Sequence, residues 1–304
     1  MRWRGNRKSH NVEDRRGMKV SGSGVSGRGG LLRLLPVVYK LLGFKGTAIA
    51  VIGVVAYGLL SGNLTQMLGT SSFQGNIPQT SKQPVKQSAA EKEMVEFISV
   101  VLADTEDTWK ELFKQKGKQY QAPKLVLFRN KVNSGCGGAS AQMGPFYCSL
   151  DNKVYLDLSF YDDLRERYKA PGDFAQAYVI AHEIGHHVQN LLGISGKVHK
   201  AKQSLNEIKA NQLSVKLELQ ADCYAGIWAH QANRSRQILE SGDIEEGLKA
   251  ASAIGDDRLQ KQSQGYVNPD SFTHGSSKQR VKWFNVGLNK GTLVECNTFA
   301  EQTF

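Results

Sequence analysis

The sequence predicts an α+β fold, and two observations carry that expectation. Two short apolar runs, Lys124–Phe128 and Lys153–Leu158, read as strands, and the second alternates. Around them, long stretches place apolar residues at helical spacing. In chain order, Met94, Phe97, Ile98, Val101, Leu102, Trp109, Leu112 and Phe113 define a helix from Ala89 to about Lys114. The two strands follow, with Val154, Leu156 and Leu158 on one side of the second. Pro171-Gly172-Asp173 then breaks the chain, and Asp173 is positioned to cap a helix running from Phe174 to about Leu192. Further helical stretches cover roughly 197–212, 214–231, 241–253 and 276–288. The expected architecture is a small sheet followed by several helices, in a domain spanning 89–304.

The net charge of +11 is unevenly placed. Eleven Lys and Arg lie in residues 1–45, opposed there only by Glu13 and Asp14. The other 259 residues hold 28 basic and 26 acidic side chains, a balance of +2. The domain is therefore nearly neutral, which argues against a nucleic-acid binder. Residues 1–30 are rich in Arg and Gly and read as disordered. Next comes an uncharged apolar run from Gly46 to Leu60, extendable to Leu64, close to the roughly 20 residues a spanning helix needs. With cations before it and no Ala-x-Ala site after it, 46–64 reads as an uncleaved anchor. The positive-inside rule then puts residues 1–45 in the cytoplasm as a basic tail and the domain outside. The interrupted apolar stretch Leu31–Leu42 reads as lying along the inner membrane surface. Residues 65–88, rich in Ser, Gln, Gly and Thr, read as a flexible linker.

Four cysteines follow the apolar run and allow three pairings. Cys136 and Cys148 flank a Gly-rich stretch and form the expected local bridge, which leaves Cys223 with Cys296. No CxxC pair occurs, so a thiolate zinc site is not indicated.

The chemistry is concentrated in His182-Glu183-Ile184-Gly185-His186. Two His four apart on a helix share a face and can reach one ion, while Glu183 can approach a water on that ion. The apolar run Phe174–Ala181 makes this a buried helix, so its polar groups need a reason to be there. A hydrolytic zinc site takes three protein ligands and an open position. The metzincin positions after His186 hold Gln189 and Leu192, which excludes that class. His187 points away from the His182–His186 face and reads as a supporting or partly exposed residue. Glu218, 32 residues beyond His186 on an otherwise apolar helix, is the expected third ligand, and Asp222, one turn on, the carboxylate that holds a ligand His.

HEIGHH followed by ELQAD resembles the gluzincin pattern, in which a Glu from ExxxD completes HExxH. It is similar to membrane gluzincins related to the prenyl-protein peptidases and bacterial heat-shock membrane peptidases. The stretch from about Lys124 to Leu288 more closely resembles the bacterial neutral zinc metallopeptidase family often labelled by the YpfJ name. Cys136-Gly137, Gly144–Cys148, Val154–Asp157, His182–His187, Glu218–Ala225 and Ser271–Gly275 carry that resemblance. It implies a zincin-like fold, bound Zn2+ and endopeptidase activity on peptide or protein substrates, with Glu183 as general base. By likeness to membrane gluzincins it also implies that His274 steadies the oxyanion; the plainer role is a loop residue before a helix. Arg280 is read as a surface residue that could pair with Asp222 or with a substrate carboxylate. Tyr155 and Asp157 lie on the strand before the active helix, where they line a cleft or fill the structure. The rival to an anchored peptidase is a membrane-tethered scaffold with a structural metal, which has no need of a base at Glu183.

Overall fold

A computed structural model describes residues 1–18 and 87–300 of the chain. The expected anchor at 46–64 lies outside the described residues, as do the Leu31–Leu42 segment and nearly all of the expected linker. Among the described residues no helix is long and apolar enough to cross a membrane.

The fold is α+β. A four-stranded sheet has the order β1-β2-β6-β5, with β1 Val12–Asp14, β2 Lys124–Phe128, β5 Phe146–Cys148 and β6 Lys153–Asp157. β1, β2 and β6 run parallel, and β5 runs antiparallel to β6 at one edge. β3 Lys131–Ser134 and β4 Gly137–Ser140 form a separate hairpin. The two strands read from sequence are thus the inner pair. Leu125, Val126, Leu127, Val154, Tyr155 and Leu156 are all buried, because both faces of that pair are covered. The remaining strands are three or four residues long and carry no hydrophobic period of their own.

Eight α-helices lie among the described residues: α1 Ala89–Gln115, α2 Ser159–Glu166, α3 Asp173–Leu191, α4 Ile194–Lys202, α5 Glu207–Arg236, α6 Asp243–Ala253, α7 Asp256–Gln264 and α8 Ser277–Lys290. Capping boxes at Ser88/Glu91 and Ser276/Gln279 start α1 and α8. The expected break near Gln212 does not exist. The chain turns at 203–206 instead, where the Asn206 side chain accepts from the Lys209 amide and starts a 30-residue helix. Asp173 is not the cap of α3 but its first residue; Gly172, at φ 125°, precedes it, and Glu246 of α6 accepts from the Phe174 amide. The core lies between the sheet and α1, α3, α5 and α6, built on Trp109, Phe174, Tyr178, Tyr224 and Trp228. α5 and α8 touch backbone to backbone: a Cβ on Gly287 would stand 1.9 Å from the Cys223 carbonyl oxygen.

Residues 1–18, read from sequence as part of a disordered tail, are ordered. They fold into the same compact unit, with β1 in its sheet and Met1 and Trp3 in its core. Sequence composition is blind to this, because the partners that tie that basic segment to the domain, such as Glu91 and Glu240, are remote in sequence. Both expected disulfides form, Cys136–Cys148 and Cys223–Cys296, with Cα separations of 5.8 and 5.7 Å.

Candidate metal centre

α3 carries His182, Glu183 and His186, and α5 carries Glu218 and Asp222. The two helices meet closely at Gly185, where a Cβ would come within 2.9 Å of the Ala221 carbonyl oxygen. The small residue inside HEIGH therefore serves the approach that brings Glu218 to the two His. His182 Nε2 lies 3.1 Å from Glu218 Oε2 and His186 Nε2 lies 3.4 Å from Oε1. One ligand atom from each of the three residues lies within 4.8 Å of the others, so this group could hold a metal ion.

The far nitrogens of both rings are occupied. His182 Nδ1 stands 2.8 Å from Asp222 Oδ1, and His186 Nδ1 stands 3.0 Å from Gln189 Oε1. Both partners are acceptors, so each ring carries a proton on Nδ1, which leaves Nε2, on the Glu218 side, as the atom that can ligate once its own proton is lost. Two imidazole nitrogens and a carboxylate converging on one point are a donor set that suits zinc. Burial opposes a charge on His182, but Asp222 and Glu218 outweigh it and raise its pKa to about 10. His186 is raised as well, against burial, chiefly by Glu218. Glu218 is held well below the usual carboxylate range, against burial, by His186 and His182.

Asp222 is fully buried and collects four donors. His182, Tyr178 and Arg280 Nη2 (2.9 Å) reach Oδ1, while Arg280 Nε (2.9 Å) reaches Oδ2. Burial alone would raise its pKa; Arg280 and His182 reverse that and hold it at about 2. Arg280, read from sequence as a surface residue, is only 2% exposed and takes the first of its two expected partners. α8 delivers it to the centre, and its Nη groups also donate to the Tyr178 hydroxyl and the Ile254 carbonyl. Tyr178 and Gln189 lie one turn before His182 and one turn after His186, a helical spacing that could have flagged both.

These residues face a cavity of about 550 Å³, lined by His182, Glu183, His186, Glu218, His274 and the edge strand residues Phe146 and Tyr147, among others. Glu183 is 8% exposed, and no hydrogen bond or ion pair among the described residues engages its carboxylate. His274 reaches the cavity from the loop before α8. Its Nδ1 lies 3.2 Å from Asp256 Oδ1, and the Asp256 bond, working against burial, raises its pKa. Asp256, the first residue of α7, escaped the sequence reading. Its Oδ2 accepts from the amides of Thr273, His274 and Gly275 at 2.7, 2.6 and 2.9 Å, which fixes the loop.

His187 is neither a ligand nor partly exposed. At 1% exposure it joins Tyr147 of β5 (3.0 Å) to the Gln121 carbonyl (2.6 Å), tying α3 to the edge strand. Tyr155 and Asp157 fill the structure: Tyr155 stacks on Phe146, and Asp157 accepts from the Asn130 and Ser159 amides. The strand beside the cavity is β5.

Comparison with known proteins places these residues in company. Residues 1–299 match the family described as "Putative neutral zinc metallopeptidase". The chain is 48% identical over 309 residues to the Uncharacterized protein YpfJ of Escherichia coli strain K12, covering 99% of each. It is 44% identical over 191 residues to the Uncharacterized protein Rv2575 of Mycobacterium tuberculosis strain H37Rv, covering 60% of this chain and 64% of that one. No solved structure matches.

Proposed function

The chain belongs to the neutral zinc metallopeptidase family, and from that premise we propose that it is a zincin-like endopeptidase that hydrolyses peptide bonds at the His182–His186–Glu218 centre. The observation that carries this reading is the pairing of a complete three-residue donor set with a fourth residue, the carboxylate of Glu183, on the same cavity and without a structural partner. A purely structural site has no use for that carboxylate.

Zinc, when bound, supplies a Lewis acid that polarises a carbonyl and acidifies a water. His182, His186 and Glu218 are the residues that would hold it. Glu183 takes the proton of the attacking water at its carboxylate and returns it to the leaving amine. Asp222 keeps the His182 proton on Nδ1, and Arg280 keeps Asp222 ionised in a site that water does not reach. His274, held by Asp256, donates a hydrogen bond to the oxygen on which charge develops. A peptide adds alongside β5, the strand at the open edge of the sheet, and its scissile bond reaches Glu183 across the cavity. Two disulfides support an extracytoplasmic place of work, since such bonds persist in oxidising compartments.

The test separates base from ligand. Glu183→Gln retains zinc and loses activity on an unfolded protein substrate by roughly 10²–10⁴. Glu218→Ala loses zinc by elemental analysis. Wild-type turnover in Glu183→Gln would overturn the mechanism.

A further inference from the structure

The eleven cations of residues 1–45 suggest a topological signal, but the six within residues 1–18 have another use. Every one has a carboxylate partner: Arg2 with Glu240, Arg4 with Glu93, Arg7 with Glu106 and Asp107, Lys8 with Glu96, Arg15 with Glu13, and Arg16 with Asp14 and Glu91. Five of the eight acids belong to α1, so a basic segment lies on a helix rich in acids. Exposed pairs of this kind steer more than they hold. The hold comes from buried groups. Trp3 is 5% exposed and meets Phe97 edge-on at 5.4 Å. The Arg16 side chain is fully buried against Asp14. The Met1 ammonium, 2.8 Å from Asp173 and 3.3 Å from Asp243, serves as the cation of the acidic cluster at the start of α3.

Glu106 is the most telling group. It lies within α1 at 2% exposure, and its hydrogen bonds come from Ser9 (2.6 Å), Asn11 (2.7 Å) and Arg7 (3.1 Å). All three of these donors belong to residues 7–11, so the segment satisfies a carboxylate that is costly to bury unpaired. Backbone bonds complete the seam: the Arg15 amide donates to Leu127 O, the Leu125 amide to Asn11 O and the Ser9 amide to Ser99 O, at 2.8, 2.8 and 2.9 Å.

We infer that residues 1–18 and residues 87–300 fold together in one compartment, the oxidising one in which the domain's disulfides form, so that no membrane separates them. Paired strands stand about 4.8 Å apart, whereas the hydrocarbon core of a bilayer is about 30 Å thick. β1 cannot pair with β2 from the far side. The cations of residues 1–18 are docking groups for α1, and the positive-inside argument loses more than half of its eleven charges.

Two measurements on the full chain test this. In hydrogen exchange followed by mass spectrometry, the Ser9–Arg16 amides exchange at least ~100-fold more slowly than an unstructured peptide; exchange at the unstructured rate overturns the docking. His10→Cys and Lys249→Cys, both at exposed positions, are then probed in intact cells with a maleimide that does not cross the cytoplasmic membrane. Equal labelling of the two, before permeabilisation, is expected. Labelling of Lys249→Cys alone, with His10→Cys reacting only after permeabilisation, or the reverse, overturns the shared compartment. Failure of both sites to label before permeabilisation overturns the oxidising one.

Discussion

Replacing Arg280 with Met removes the guanidinium from Asp222 while keeping an apolar stem of similar length. Asp222 is fully buried and loses both Arg280 contacts, at 2.9 and 2.9 Å, keeping only Tyr178 and His182. Hydrogen bonds to charged groups contribute about 1.5–3 kcal/mol each, and breaking one side of a buried pair costs about 3–5 kcal/mol. Arg280→Met is therefore expected to lose about 3–5 kcal/mol in urea denaturation of the zinc-free protein. Asp222→Asn alone strands the guanidinium and is costly too, but the double variant buries no lone charge. The double-mutant cycle should show coupling of about 2 kcal/mol or more. Zinc affinity should fall roughly 10–100-fold in Arg280→Met, because the group orienting His182 through Asp222 is gone. A loss under about 1 kcal/mol, the level of an exposed ion pair, or strict additivity in the cycle would refute this account of Arg280.

Zinc uptake should release protons and weaken as pH falls, because His182, with a pKa raised to about 10, and His186, also raised, must be neutral to ligate; calorimetry in buffers of different ionisation enthalpy checks this, and binding without proton release would count against the ligand set. In the zinc-free fold the same shift has the opposite sense: the stability from His182 is complete below its unfolded pKa and is lost as pH rises through about 10, which urea midpoints across that range would show. Gly287→Ala should cost about 1–3 kcal/mol or more, since its Cβ would strike the Cys223 backbone and α5 and α8 must part; an unchanged melting temperature would show that the helices have room. Replacing Cys136 and Cys148 together by Ser should lower stability by roughly 2–3 kcal/mol through the released loop, with a rise in KM because Cys136 lines the cavity and Cys148 lies on β5; an unchanged denaturation midpoint and KM would contradict both.

The convergence of His182, His186 and Glu218 was legible because its signals are local. His182 and His186 are one helical turn apart, and Glu218 and Asp222 repeat that spacing on a second apolar helix. Gln189 and Tyr178 obey the same periodicity but are residue types that fill cores as often as they support ligands. Asp256 and Arg280 offered nothing local. Asp256 is one acid among many until the fold brings the 273–275 amides onto it, and a lone Arg on a mixed helix reads as solvated until α8 is packed against α5.

By itself, the sequence determined the α+β class, the inner strand pair and the helix that carries HEIGHH, since each follows from spacing along a few turns of chain, and the local Cys136–Cys148 bridge left Cys223 with Cys296. Tertiary structure alone decided three things: that β5 is the strand beside the cavity, that Arg280 lies under the centre, and that residues 1–18 belong to the domain. The physical reason is the range of the interactions. Hydrophobic period, capping and ligand spacing act within one helix or strand, whereas Glu91 beside Arg16, Arg7 beside Glu106 and Asp222 beside Arg280 lie 75, 99 and 58 residues away in sequence. A cation's role depends on whether a carboxylate awaits it in the fold, and composition counts charges without regard to partners.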